Sequence, residues 1–323
     1  MMPWIRLLLA AVIALGVAAV RHATAQSYPD RPIKLIVPLE AGGPVDTVAR
    51  AAAKQLTERL KENVNVINRG GAAGMLGMRE VMSAAPDGYT LAFGSSGTLA
   101  IAPALYGKEN YDPSSLVPVA LVAKLPHVLV VAPDLPVKSV KQLADYAKAN
   151  PGKLNFGGAL GMPPHLMGAL FKEQAGLDVT FIPYKGAAPS MVDLLAGRTQ
   201  FTFDALTVLY PLIVQGKVRP LAVINDRRWP QLPDVPTMVE SGFPEFTMLP
   251  YLGVLAPPGT AQSIVDKLDA AINDSVATEE MKATLTKFSA FAQPGSAQDF
   301  AAYIKTSEPI WTKLVELSGA SLR

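Results

Sequence analysis

The segment IKLIVPLEAGGPVD at 33–46 constrains the fold more than any other feature of this chain. Its apolar run Ile33–Val37 is rich in β-branched residues and predicts a buried strand. The glycines Gly42 and Gly43 then predict a turn, and a helical pattern begins at about Asp46. A turn of this kind exposes backbone N–H groups at a helix N-terminus, where an anion binds well. The segment therefore predicts an α/β fold that has an anion site near its beginning.

A secretion signal precedes this segment. An apolar run from Leu7 to Val20 follows a short basic start, and the small residues at 23–25 fit a cleavage site. The run has about 14 residues, which is short for a membrane span of roughly 20. An uncleaved N-terminal anchor is the alternative interpretation. We expect a signal peptide at residues 1–25, a mature chain from about Gln26 and export from the cytoplasm.

Charge and composition exclude several classes of function. The chain has 29 basic and 27 acidic residues. Because Arg6 and Arg21 lie in the signal, the mature chain is neutral, which argues against nucleic acid as a partner. The absence of cysteine excludes disulfides, thiol catalysis and cysteine-ligated metals. No later apolar run is long enough to span a bilayer, so the mature chain is expected to be soluble.

Predicted strands alternate with predicted helices along most of the chain. Two such units occur, at about 30–125 and 126–225, and a mostly helical tail follows them. Alternation of this kind predicts parallel sheets that are covered by helices on both faces. The length of the chain favours two domains.

Several polar or glycine-rich segments directly follow predicted strands. In open α/β sheets, ligands bind outside the carboxyl ends of the strands. Two segments belong to the first unit and three to the second, so a ligand held between the units would close them like a clamp. Taken alone, each segment also fits a simple turn or helix cap. The segments are 39–46, 95–98, 157–165, 184–187 and Asp204.

Signatures of catalysis are weak. After the signal, histidine occurs only at His127 and His165, and no nucleophile elbow, zinc-protease motif or phosphate-binding loop is present. No group of residues has metal-ligand spacing, so we expect neither a metal nor a cofactor. An enzyme on this scaffold would need an acid–base pair, for which Asp204 and His165 are the only candidates.

An ordered set of motifs resembles the Bug-type substrate-binding proteins of tripartite tricarboxylate transporters. The motifs span nearly all of the mature chain, and their number and order make the resemblance specific. The matching segments are YPDRPIKLIVPLEAGGPVD (28–46), APDGYTLAFGSSGTLAIAPALY (85–106), LPVKSVKQL (135–143), NPGKLNFGG (150–158), FIPYKGAAPSMVDLLAG (181–197), GKVRPLAV (216–223), LPDVPTMVESGFPEF (232–246) and GVLAPPGT (253–260).

The resemblance implies an α/β fold with a two-lobed, type II-like periplasmic-binding-protein clamshell, in which each lobe is a sheet flanked by helices. Lobe 1 would comprise residues 26–125 and 226–323, and lobe 2 residues 126–225, with the ligand cleft between them. The implied function is that of a periplasmic, monomeric receptor. It would capture a small carboxylate ligand and deliver it to a permease of two integral membrane subunits, without catalysis.

The resemblance also implies the ligand-binding residues. In this family, two loops, here 39–43 and 157–165, hold the carboxylates of the ligand through backbone N–H groups and ordered water. The first jaw would use Leu39, Gly42, Gly43, Asp46, Ser95, Ser96 and Thr98. The second jaw would use Gly158, Ala159, His165, Tyr184, Gly186, Ala187 and Asp204.

Two departures from the family pattern bear on the ligand. Glu40 follows Leu39 where the family usually has an aromatic residue and then Pro or Ala. Its carboxylate could repel an anion, accept from a ligand hydroxyl or ammonium group, or face solvent. The segment 157–164 offers no side-chain hydroxyl or amide, so a second charged carboxylate would lack partners there. We therefore expect an aromatic or medium-chain mono- or dicarboxylate rather than citrate.

Two other classes of function are compatible with the same scaffold. One is a sensor that presents its ligand to a membrane signalling protein. The other is a secreted enzyme that processes carboxylates. Neighbouring permease or kinase genes would separate the receptor from the sensor, and turnover of a bound acid would indicate the enzyme.

Overall fold

The computed structural model describes residues 28–42, 44–225 and 227–322. The expected signal peptide at 1–25, Gly43 and the boundary residue Asp226 lie outside these ranges. Within them, the chain forms two β-sheets that are flanked by helices, as the sequence predicted.

The strands divide cleanly between the two sheets. In chain order they are β1 (Ile33–Val37), β2 (Val64–Asn68), β3 (Thr90–Ser95), β4 (Val117–Lys124), β5 (His127–Val131), β6 (Leu154–Ala159), β7 (Val179–Tyr184), β8 (Phe201–Ala205), β9 (Arg219–Ile224), β10 (Tyr251–Ala256) and β11 (Phe291–Ala292). The first sheet has the order β11-β4-β10-β3-β1-β2, and the second has the order β7-β6-β8-β5-β9. The chain passes to the second sheet after β4 and returns before β10.

The helices cover these sheets. In chain order they are α1 (Pro44–Leu60), α2 (Met75–Met82), α3 (Ala102–Tyr106), α4 (Val140–Ala149), α5 (Pro163–Ala175), α6 (Ala187–Leu195), α7 (Leu206–Val214), α8 (Gln262–Val276), α9 (Glu279–Lys287) and α10 (Ala297–Ser318). A π-helical turn at Gly97–Ile101 leads into α3. Short 3₁₀ turns occur at Ala72–Gly74 and Pro113–Ser115.

Local sequence signals explain where several helices begin and end. The Ser139 side chain accepts from the N–H of Gln142 and caps α4. Ser296 and Asp299 form a capping box at the start of α10. Gly176 ends α5 with φ at 60°, in the left-handed region that glycine adopts readily.

The expectation of parallel sheets is confirmed for β1 with β2 and β3 and for β6 with β7 and β8, and it is wrong for the other strand pairs. Strand β10 runs antiparallel to its neighbours β3 and β4, and β5 runs antiparallel to β8 and β9. Strand β10 is buried along its whole length, at the centre of the first sheet. Its sequence YLGVLA is a continuous apolar run without period-two alternation, so periodicity could not separate it from the helical tail around it.

Helix α10 contacts both parts of the molecule. Near its start, Phe300 packs on β10 so closely that a Cβ on Gly253 would lie 2.3 Å from the phenyl ring. Near its end, the fully buried Trp311 joins a core cluster with Leu129 of β5 and Leu105 of α3. The helix thus links the cores of both sheets. The exact lobe boundaries, 26–125 with 226–323 and 126–225, stay a prediction.

No helix in the described part of the chain has both the length and the apolar character needed to cross a bilayer.

Candidate functional site

A buried carboxylate organises residues 39–42, which are the described part of the first loop (residues 39–43). Asp46 is 3% exposed, and its Oδ2 accepts from the N–H of Gly42 at 2.9 Å and from Nε of Arg50 at 3.0 Å. Its Oδ1 accepts from Nδ2 of Asn68 at 2.9 Å, and the same amide donates to the carbonyl of Leu39 at 3.1 Å. Asp46 therefore holds the first loop against α1 and β2.

The electrostatics of Asp46 favour its charged form. Burial acts to raise the pKa of this carboxyl, but hydrogen bonds from Arg50, Gly42 and Asn68 outweigh burial and lower the pKa overall. Both oxygens are occupied within the protein, so Asp46 shapes the loop and is not an open acceptor. The N–H of Gly42 also points inward to Asp46. The first turn of α1 still presents N–H groups that no helical carbonyl can satisfy.

The hydroxyls of Ser95 and Thr98, at the end of β3, bond to each other's backbone groups. The N–H of Ser95 donates to Oγ1 of Thr98 at 3.0 Å, and this hydroxyl donates to the carbonyl of Ser95 at 3.1 Å. The buried Tyr111 donates from its hydroxyl to the carbonyl of Thr98 at 2.9 Å. Ser96 is buried at the start of the π-helical turn. The side chain of Ser96, at the N-cap of the π-helical turn, makes no capping hydrogen bond, and the role of this segment in binding stays a prediction.

Three residues of the second jaw, Ala159, Tyr184 and Asp204, lie at or next to the carboxyl end of a strand in the second sheet. Ala159 of β6 pairs in register with Tyr184 of β7. On the other side of β6, Phe156 pairs with Phe201 of β8, and the hydroxyl of Thr202 donates to the carbonyl of Gly157 at 2.7 Å. Asp204 therefore lies near the carboxyl end of the strand beside β6, and continuing this register would put it opposite Ala159.

The hydroxyl of Tyr184 is already hydrogen-bonded within the protein. Its hydroxyl donates to Oδ2 of Asp193 on α6 at 2.7 Å, and Arg198 pairs with the other oxygen of that carboxylate. Burial and the bond to Asp193 raise the pKa of Tyr184 to about 12. Gly186 caps α6, which Ala187 begins, and its extended backbone leaves open space around the Cα.

His165 lies on the other face of the second sheet. Its ring stacks on Phe181 with 3.7 Å between centroids, and its Nδ1 accepts from the N–H of Gly161 at 3.2 Å. Phe181 is three residues before Tyr184 on β7, so the two side chains point to opposite faces. Burial lowers the pKa of His165 to about 4, so the ring is neutral at physiological pH. It borders a cavity of about 390 Å³ beside Lys172.

Asp204 has a different environment. It is 6% exposed, and its Oδ1 accepts from the N–H of Ala205 at 2.7 Å. Burial raises the pKa of this carboxyl to about 6. The described side chains of Asp204 and His165 do not bond to each other, so the acid–base pair that an enzyme would require is not formed.

The second loop (residues 157–165) reaches the first sheet's helices. A Cβ on Gly161 would lie 2.7 Å from Cδ1 of Leu105 on α3, the helix that continues from Ser95–Thr98. At the tip of this loop, Leu160 and Met162 are 44% and 43% exposed. The loop therefore presents apolar side chains beside the first sheet. Glu40 of the first loop is exposed and lies beside Gly70.

Gly158 of the second jaw is enclosed, whereas Gly186 is not. A Cβ on Gly158 would lie 2.7 Å from Cβ of Pro164 and 3.3 Å from the backbone nitrogen of His165, and nothing lies within 4 Å of one on Gly186. We expect Gly158→Ala to cost about 1–3 kcal/mol, since it forces the start of α5 away from β6. Gly186→Ala is the matched control and should be nearly neutral. Chemical denaturation measures both, and equal losses would contradict the assigned packing.

Sequence reasoning missed three residues that support the candidate site. Arg50 pairs with Asp46 at i,i+4 spacing, which is a recognisable helix pattern. Asn68 ends β2 beside β1, so the same strand-end rule could have included it. Nothing in the sequence indicates the bond from Tyr111 to Thr98. Among the described residues, no group of three or more acidic, histidine or cysteine side chains could hold a metal ion.

Comparisons with known proteins agree with this architecture. A family model described as the tripartite tricarboxylate transporter family receptor, TctC, matches residues 48–319. Protein BugT of Bordetella pertussis is 36% identical over 320 residues, which cover 95% of each chain. The structure of the periplasmic binding protein BugD has a TM-score of 0.75 and 36% identity, covering 91% of this chain and 99% of its own.

A structure of an R. palustris protein with adipate has a TM-score of 0.79 and 35% identity, covering 91% of this chain and 99% of that one. The two helix-flanked sheets are thus those of a periplasmic solute-binding protein. The chain belongs to the tripartite tricarboxylate transporter receptor family, TctC, which includes the Bug proteins. This confirms the resemblance that the motifs indicated, and the family consists of receptors rather than enzymes.

Proposed function

We propose that the protein captures a small carboxylate between its two sheets and delivers it to a permease of two integral membrane subunits. The observation that carries this proposal is the prearranged first loop, which Asp46 fixes at the N-terminus of α1. A rigid loop at a helix N-terminus holds an anion without a basic side chain, because the backbone donors and the helix dipole supply the attraction.

The ligand is a carboxylate with an apolar remainder. The second loop has no side-chain hydroxyl or amide at 157–164, and it exposes Leu160 and Met162. The hydroxyl of Tyr184 is bound to Asp193. Polar substituents would lose water there without gaining partners, whereas methylene or ring carbons would gain burial. The adipate bound to the R. palustris relative, an unbranched aliphatic dicarboxylate, supports a ligand of this chemistry.

Delivery to a membrane permease implies an extracytoplasmic protein. The signal-like segment at 1–25 and the periplasmic binding proteins among its relatives support a periplasmic location for the mature chain. We propose that it acts as a monomer and uses no cofactor.

A thermal-shift screen of the mature protein from Gln26 tests the ligand class. A ligand at a hundredfold excess over its Kd stabilises the folded state by about 2.7 kcal/mol. We expect medium-chain or aromatic carboxylates to raise the melting temperature and citrate to leave it unchanged. The screen should be repeated after denaturation and refolding, which removes any acid carried through purification. A shift with citrate alone would contradict the ligand proposal, and no shift with any acid would contradict the proposed function.

A further inference from the structure

Asp204 is a buried acid at the centre of the second jaw, and it has no cationic partner among the described residues. It lies near the carboxyl end of β8, the strand beside β6, where the proposed ligand would meet the second sheet. Its Oδ1 accepts a hydrogen bond from the N–H of the next residue, Ala205. One backbone donor compensates little of the cost of burying a carboxylate.

The groups on neighbouring elements do not neutralise this charge. On β5, Val128 is opposite Asp204, and the Nδ1–H of the adjacent His127 donates to the carbonyl of Leu125. On α6, Asp193 is itself paired with Arg198. Helix α7 carries no charged residue, and its half-buried Tyr210 is its titratable group.

The remaining charged and histidine side chains nearby also do not neutralise Asp204, because they contact other groups, are exposed or are uncharged. Lys124, just before the crossover to β5, lies over the ring of Tyr303 at 4.3 Å. Lys185 follows Tyr184 in an exposed turn. Burial lowers the pKa of both His127 and His165 to about 4, so neither ring changes charge between pH 6 and 9. Among the residues of the second jaw, Asp204 is therefore the group whose charge changes as the pH rises above about 6.

We propose that carboxylate capture is proton-linked, and that the ligand enters the second jaw only when Asp204 is neutral. This inference rests on the proposed function. Two carboxylates that share a low-dielectric site cannot both be charged without a large cost, so one of them takes up a proton. Here the proton comes from solvent and resides on Asp204, whose O–H donates to an oxygen of the second carboxylate of a dicarboxylate ligand, while the first loop holds the first carboxylate. The proton returns to solvent when the ligand leaves.

The raised pKa of Asp204, about 6, gives the expected pH dependence. Below that pH, Asp204 is neutral in the free protein and affinity is constant. Above it, each pH unit weakens apparent binding by about tenfold, because a proton must be taken up on binding. Between pH 6.5 and 8.5, the Kd of wild-type protein should rise by about 75-fold. Simple carboxylic acids stay ionised throughout this interval.

The decisive variant is Asp204→Asn, which keeps a neutral hydrogen-bond donor and cannot ionise. We expect its Kd for the best acid of the screen to be constant from pH 6.5 to 8.5. At pH 8.5 it should bind more tightly than wild-type protein, whereas a merely structural role would give weaker binding at every pH. Asp134→Asn, at an exposed acid of the same lobe, is the matched control and should keep the wild-type slope.

Calorimetry of the wild-type protein gives an independent test if the variant does not fold. Titrations at pH 7.5 in buffers of different ionisation enthalpy should show uptake of nearly one proton per ligand. A Kd that is independent of pH, or a slope that Asp204→Asn retains, would overturn this inference and leave the proposed function intact. Absence of binding by every carboxylate at both pH values would overturn the proposed function itself.

Discussion

Trp311→Ala is expected to lower the free energy of unfolding by about 3–5 kcal/mol. The indole is fully buried near the end of α10, in a cluster that contains Leu129 of the second sheet and Leu105 of α3. Removing it leaves a cavity where α10 packs against α5. Because α10 also covers β10 through Phe300, the loss would loosen the connection between both sheets.

Trp311→Phe is the matched control for this prediction. The Nε1 of Trp311 is buried without a hydrogen-bond partner, so replacement by phenylalanine removes an unsatisfied donor and keeps most of the aromatic volume. We expect this variant to lose clearly less stability than the alanine variant. Urea denaturation gives both values from the shift of the midpoint at constant slope. A loss below about 1 kcal/mol for Trp311→Ala would contradict a joining role for α10.

Much of the fold follows from local patterns in the sequence. The strand predicted at Ile33–Val37 has the bounds of β1. The apolar run Arg219–Ile224 likewise predicts a strand and the pattern Glu279–Lys287 a helix, and these are the bounds of β9 and α9. These segments carry their own signals, either a β-branched run or a helical pattern with acidic residues in its first turn. Strand β10 was missed because its position depends on pairing with β3 and β4, which are distant in the chain.

The candidate site was predictable to the level of segments and not of atoms. The strand-end rule led to Asp46 and Asp204, but it could not show that one carboxylate is fully bonded and the other almost isolated. That difference depends on Asn68 and Arg50 for Asp46, and on the burial of β8 for Asp204. Such partners come from other strands and turns, so their contribution becomes visible only in three dimensions.

Asp46→Ala is expected to weaken carboxylate binding by about 100-fold, which corresponds to roughly 2.7 kcal/mol. The substitution removes the acceptor for Gly42, Arg50 and Asn68 together, and a hydrogen bond to a charged group contributes about 1.5–3 kcal/mol. The first loop would then have to be ordered by the ligand, at a cost in conformational entropy. Isothermal titration of wild-type and variant protein measures the change in Kd.

Asp269→Ala is a matched control for this last prediction. Asp269 also accepts from an asparagine amide, that of Asn273, and from a backbone N–H, that of Ala297, but it joins α8 to α10 outside the strand-end segments. It should lower stability and leave the Kd unchanged. Since the pKa of Asp46 is lowered, its contribution is complete above pH 4 and is lost only as the pH falls further. Equal affinity losses in the two variants would mean that the Asp46 network stabilises the fold and does not shape the binding loop.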